Sequence, residues 1–132
     1  RLDVPLTLEP AYFPAADKMA RRLILAAKND GLDAPRLGDL VHAFMRAVWV
    51  EEKNIADTAT LAAIMGAVGL DSGHLLDRTD AADIVETELA YTEQAKRIGV
   101  FGAPTYVIDG ELFWGQDRLD FVEEKVSAQA HG

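Results

Sequence analysis

Cysteine is absent from the 132 residues. The chain therefore has no disulfide, no thiolate nucleophile and no dithiol redox pair of its own. Cytosolic residence is compatible with that composition, and a cytoplasmic protein is the expectation. Positive charge is scarce: 13 Lys and Arg stand against 22 Asp and Glu, a net charge of −9. Nucleic acid and anionic membrane surfaces both need a basic patch, so neither is an expected partner. No apolar run approaches about 18 residues, so no membrane-spanning helix is expected. His, Asp and Glu do not fall at metal-ligand spacing, and no metal is expected. No signal peptide, internal repeat or low-complexity linker is visible. An initiator methionine is also missing. The chain begins at Arg1, which predicts a processed, trimmed or partial product.

Hydrophobic residues make up 49% of the chain, enough for a domain with a real core. Leu2 to Pro10 is proline-bounded and reads as extended. Pro14 suits the first turn of a helix over Ala15 to Asn29, with Met19, Leu23, Ala26 and Ala27 at helical spacing and Gly31 as the stop. Pro35 opens a second helix whose apolar stripe is Leu37, Leu40, Val41, Phe44, Val48 and Trp49. Asp57 is a cap for a third helix carrying Leu61, Ile64, Met65 and Val68, stopped at Gly69. Asp71 or Ser72 caps a short turn through Leu75 and Leu76. Thr79 or Asp80 starts a longer helix through Ile84, Glu88 and Tyr91 to Arg97, ended by Gly99.

The apolar period then changes from 3.6 to 2. Thr105 to Ile108 reads as a strand, Asp109-Gly110 as a two-residue hairpin turn, and Glu111 to Trp114 as the return strand. Gly115 to Asp117 opens a last helix with Leu119, Val122 and Val126 facing inward. The hairpin is apolar on both faces, and an isolated hairpin is marginal in water. It calls for further strands or a cover, and Val4 to Leu8 is the one strand candidate within the chain.

Ala103-Pro104 sits just before the first strand. Proline fits only the start or edge of a strand, and an X-Pro bond is the common place for a cis peptide. Two readings are open. One is a plain structural turn. In the other a cis bond lets Ala103 offer its N–H and C=O to an extended peptide-like ligand.

Gly102-Ala103-Pro104-Thr105, the Asp109-Gly110 hairpin and the run Phe113-Trp114-Gly115-Gln116-Asp117-Arg118 together resemble the 2-hydroxychromene-2-carboxylate isomerases. These are relatives of kappa-class glutathione transferases in the DsbA-type branch of the thioredoxin superfamily. The helical stretch from His42 to Glu51, followed by Asn54 to Asp57, resembles the family's inserted helical domain. The resemblance implies an α/β, thioredoxin-like fold with an all-helical insertion. On that reading 1–14 is an extended lead-in, 15–98 the inserted helical domain and 99–132 the C-terminal ββα part. It also implies that an N-terminal β-α-β unit carrying the family's catalytic serine lies upstream of Arg1. Ser72 and Ser127 do not match that serine, so no catalytic residue is assigned within this chain.

What the resemblance carries over is the glutathione-binding half. Ala103, before a cis Pro104, would pair its backbone with the cysteinyl part of glutathione. Gln116 and Asp117 match the family's pair at the last helix start. There free N–H groups favour the γ-glutamyl carboxylate, and Asp117 would meet the γ-glutamyl ammonium. The structural reading of Asp117 is a first-turn acid that stabilises its helix. If the glutathione reading holds, Pro104 is cis and within about 10 Å of the last helix start, the span of a short tripeptide. The implied activity is isomerisation of 2-hydroxychromene-2-carboxylate, or a related aromatic catabolite, by reversible addition of the glutathione thiolate. The partners implied are a small aromatic substrate and a second copy in a homodimer.

Two other readings stay open: a DsbA-type dithiol oxidoreductase with its cysteines upstream, and a non-catalytic helical binding module. His42 reads as a partly buried, hydrogen-bonded histidine ahead of a catalytic base, and His74 and His131 as isolated. Glu51-Glu52, Glu86-Glu88 and Glu123-Glu124 read as solvated helix faces, and Phe44 and Trp49 as core ahead of substrate contacts. Trp114 either edges the ligand cleft or packs on the sheet. Arg118 caps or pairs with Asp120 or Glu111.

Overall fold

The computed structural model describes residues 4–130, and His131 lies outside them. Two compact units divide the chain, 1–88 and 89–132. No described helix is long and apolar enough to cross a membrane.

The first unit is helical: α1 (Lys18–Asn29), α2 (Ala34–Trp49), α3 (Thr58–Ala67), α4 (Ser72–Arg78) and the first turns of α5 (Ala82–Ile98). Three of these helices begin on an aspartate whose side chain accepts a backbone N–H from the first turn. Asp33 takes that of Arg36, Asp57 that of Thr60 and Asp71 that of His74. Each bond satisfies a donor that has no partner inside its helix. Gly69, at φ +74, ends α3 as expected. The apolar stripes converge on one core in which Leu23, Leu40, Leu61 and Ile84 are fully buried, with Met65 and Phe44 between them.

Several expectations fail here for local reasons. Pro14 is not in the first turn of α1, which begins four residues later. Its peptide bond with Phe13 is cis, and the Phe13 ring lies 4.6 Å from Trp49. Neither Thr79 nor Asp80 caps α5, because both are engaged elsewhere. The Thr79 hydroxyl donates to the Leu76 carbonyl, the Asp80 carboxylate meets Arg22, and the Ala81 carbonyl takes the first α5 bonds. Val4 to Leu8 forms no strand. Its one ladder-like bond, Thr7 N–H to the Trp49 carbonyl, ties it to the end of α2. His42 is exposed rather than partly buried. His74 is not isolated: its Nε2 lies 2.7 Å from Asp30 Oδ2.

Glu88 departs furthest from its expected solvated role. Arg22 is buried in α1, 8% exposed, and its Nε donates to Glu88 Oε2 at 2.9 Å. Arg21 approaches the other Glu88 oxygen at 3.3 Å. This pair of arginines fastens the start of α5 to α1. Glu51 lies outside the helices, where Arg46 and Lys53 hold it at 2.8 and 2.7 Å.

Asp57 links the fold to pH. Its carboxyl is held below the ordinary 3.8, first by the Thr60 hydroxyl and then by backbone N–H donors. A depressed folded-state value means the cap contributes fully above the unfolded value and fades as pH falls through the folded one. The stability gap between the protein and Asp57→Ala should therefore be constant above 3.8 and shrink below it. Urea unfolding of both proteins across that range reads this directly. A gap that widens in acid would refute it.

In the second unit, β1 (Thr105–Ile108) and β2 (Glu111–Trp114) form an antiparallel hairpin, followed by a 3₁₀ turn (Gln116–Arg118) and α6 (Leu119–Ala130). Asp109 and Gly110, at φ +52 and +78, form the expected tight turn. Helix α6 is tied to the hairpin by Lys125, 3.0 Å from Glu111, and by Gln129, which donates to Asp109. Glu111 also holds the Lys125 ammonium above its ordinary value. Tyr106, Ile108 and Phe113 are half-buried, whereas Val107, Leu112 and Trp114 on the other face are exposed. The inward orientation expected for α6 holds only at Val122, which is half-buried. Leu119 and Val126 are about half exposed, because one helix over one sheet face leaves its outer flank open.

Candidate functional site

The hairpin register determines where the candidate site residues lie. A two-residue turn at Asp109-Gly110 pairs Ile108 with Glu111 and, stepping outward, Thr105 with Trp114. The residues that enter β1 are then neighbours of those that leave β2. One further step out, the Gly115 N–H donates to the Pro104 carbonyl at 2.9 Å. The proline loop and the start of the last helical segment are thus one hydrogen bond apart, well within the tripeptide span expected. The Ala103-Pro104 bond is cis.

Ala103 is exposed, and its N–H and C=O make no hydrogen bond among the described residues. Gln116 and Asp117 are exposed on the first turn of the 3₁₀ segment, where backbone N–H groups have no helical acceptor. The structure therefore brings Ala103, Pro104, Gln116 and Asp117 together. It offers one unpaired peptide edge, free N–H groups and a carboxylate. Such a set can take an extended, zwitterionic peptide-like ligand: the edge pairs with its backbone, the N–H groups face its carboxylate and Asp117 faces its ammonium.

Two glycines build this arrangement, and sequence reasoning gave them no role beyond membership of a motif. A side chain at Gly102 would sit 2.5 Å from Trp114 Nε1, so the indole lies directly against the loop backbone. The Thr105 hydroxyl donates to the Gly102 carbonyl at 2.5 Å, fixing the loop from the strand side. Trp114 packs on the proline loop and not on the sheet faces. It is half exposed there, 5.1 Å from the Phe101 ring. Gly115 has φ +105 and ψ 152, a region essentially reserved for glycine. A Cβ there would run into the Asp117 carboxylate. The signal was legible in principle: a glycine between a strand end and a helix start marks a required positive φ. Arg118 pairs with neither Asp120 nor Glu111. Its guanidinium lies 5.8 Å from the centre of the Phe121 ring, and Glu111 is taken by Lys125.

Comparison with known proteins places the fold in a family. Residues 1–127 match the DSBA-like thioredoxin domain family. A 2-hydroxychromene-2-carboxylate isomerase of Sphingobium xenophagum is 35% identical over 125 residues, covering 93% of this chain and 60% of that protein. A solved 2-hydroxychromene-2-carboxylate isomerase structure superposes with a TM-score of 0.73 over 96% of this chain and 59% of that one, at 23% identity. The chain thus spans about 60% of the length of the relatives it matches. The family match and the superposition together show a DsbA-like thioredoxin fold, here mostly helical with a two-stranded sheet. From sequence and fold together, the chain belongs to the DSBA-like thioredoxin domain family.

Proposed function

We propose that this protein is part of a glutathione-dependent isomerase acting on 2-hydroxychromene-2-carboxylate or a related aromatic catabolite. The observation that carries the reading is the bond from Gly115 to Pro104, which holds an unpaired peptide edge against a helix start bearing an acid. The relative in Sphingobium xenophagum, named for that isomerisation, supports the reaction class. The same reading makes the whole enzyme a cytoplasmic homodimer.

The donor set fits glutathione. Ala103 pairs through N–H and C=O with the cysteinyl residue, so the tripeptide lies extended along the end of the hairpin. The N–H groups of Gln116 and Asp117 receive the γ-glutamyl carboxylate, and the Asp117 carboxylate receives the ammonium beside it. Bound glutathione supplies a thiolate that adds reversibly to a conjugated enone, which frees rotation about the former double bond. This chain's contribution is orientation: a ligand held at both its backbone and its charged end has its thiol at one fixed place.

Titrating glutathione into the 132-residue chain tests the reading, followed by amide NMR. Signals of Ala103, Gln116 and Asp117 are expected to shift first. Asp117→Asn should weaken binding about tenfold, the effect of losing one charge-assisted contact of roughly 1.5 kcal/mol. The dipeptide Cys-Gly, which lacks the γ-glutamyl group, should bind both proteins equally weakly. Glutathione shifts confined to other residues would sink the assignment.

A further inference from the structure

We propose that the first unit carries a second, separate site that binds an aliphatic carboxylate of medium chain length. A cavity of about 610 Å³ lies between the lead-in segment and α2, lined by Val4, Leu6, His42, Met45, Arg46 and Trp49. Its volume falls in the range of small-molecule pockets. Met45 and Trp49 are shared with a neighbouring groove of about 280 Å³ whose walls include Ile24, Val41, Phe44 and Ile55. That groove also carries Asp17 and Arg21, so the larger cavity alone is the tail's seat. The exposed Met45, 58% accessible, is an adaptable surface for a flexible tail.

Charge selects the head group. In a chain of net charge −9, the one charged residue lining the larger cavity is the cation Arg46, with the His42 ring one helical turn away as a hydrogen-bonding group. The nearby acid, Glu51, is already neutralised, since Arg46 Nε lies at 2.8 Å and Lys53 Nζ at 2.7 Å. The terminal nitrogens of Arg46 and the exposed His42 ring make no hydrogen bond or ion pair among the described residues. A guanidinium edge beside an apolar trough complements a carboxylate on an aliphatic tail. This site does not depend on the glutathione reading and uses none of its residues.

The test compares octanoate, 1-octanol and 2-naphthoate, each titrated below its aggregation threshold into the 132-residue chain and followed by amide NMR. Octanoate should shift the signals of Leu6, Met45 and Trp49 and bind at least about fivefold tighter than 1-octanol. Arg46→Met should abolish most of that advantage and leave 1-octanol affinity within about twofold. The comparison within the unaltered protein stands whether or not the variant folds. A smaller advantage for octanoate, shifts mapping outside the cavity or tighter binding of 2-naphthoate would each overturn the proposal.

Discussion

Arg22→Met should lower the stability of the helical unit by about 3 kcal/mol, read as a fall in the urea midpoint at unchanged slope. Removing one partner of a buried ion pair costs about 3–5 kcal/mol, because the other charge stays out of water without its counterpart. Arg21, 3.3 Å from the second Glu88 oxygen, remains in place and sets the cost at the low end. The Asp80 contact adds little: its side chain is 88% exposed, and exposed pairs contribute about 0–1 kcal/mol. Asp80→Ala should therefore change stability by less than about 1 kcal/mol. The double variant Arg22→Met with Glu88→Leu should recover most of the loss, since no charge is then stranded. A single-variant cost under about 1 kcal/mol, or a double variant no more stable than the single, would show that the pair does not hold α5 to α1.

Arg22 also shows where sequence reading stops. It follows Arg21 in a helix whose apolar positions were found correctly, and two adjacent arginines look like a solvated face. Burial of the second becomes visible only when Glu88, 66 residues on, is brought to 2.9 Å. The caps were legible where an aspartate stood before an apolar stripe, as at Asp57, and as one of two candidates at Asp71. They failed at Thr79 and Asp80, whose side chains are taken by groups distant in sequence or by the preceding turn. The lead-in failed for a different reason. Val4, Leu6 and Leu8 alternate as a strand does, but a strand needs a partner edge. The available partner was the carbonyl of Trp49 at the end of α2. The hairpin succeeded completely, because a two-residue Asp-Gly turn dictates register locally. That register, carried outward, also brought the candidate site residues together. The candidate residues came from the family resemblance, but their proximity was legible for the same reason as the hairpin: it is a short-range consequence of one turn.

Gly115→Ala is the substitution that should most damage this site. The residue lies at φ +105, ψ 152, where a side chain costs about 1–3 kcal/mol of backbone strain. Its Cβ would also meet the Asp117 carboxylate, and such overpacking typically costs a further 1–3 kcal/mol or so. Only two adjustments relieve the clash. Asp117 can swing away, which removes the carboxylate from its place, or the chain can rotate at residue 115, which breaks the bond to the Pro104 carbonyl. The first takes the acid away from the Ala103 edge, and the second takes both the acid and the helix-start N–H groups. Glutathione affinity should accordingly fall at least as far as the roughly tenfold expected for Asp117→Asn, and further, with faster hydrogen exchange at residue 115, where the chain rotates. Gly99→Ala isolates the backbone part, since Gly99 has φ +87 and nothing within 4 Å of an added Cβ. It should cost roughly 1 kcal/mol and leave glutathione binding unchanged. If Gly115→Ala binds glutathione as the parent does while residue 115 exchanges faster, the ligand does not need the hairpin end and the helix start held together. The glutathione reading would then lose the observation that carries it.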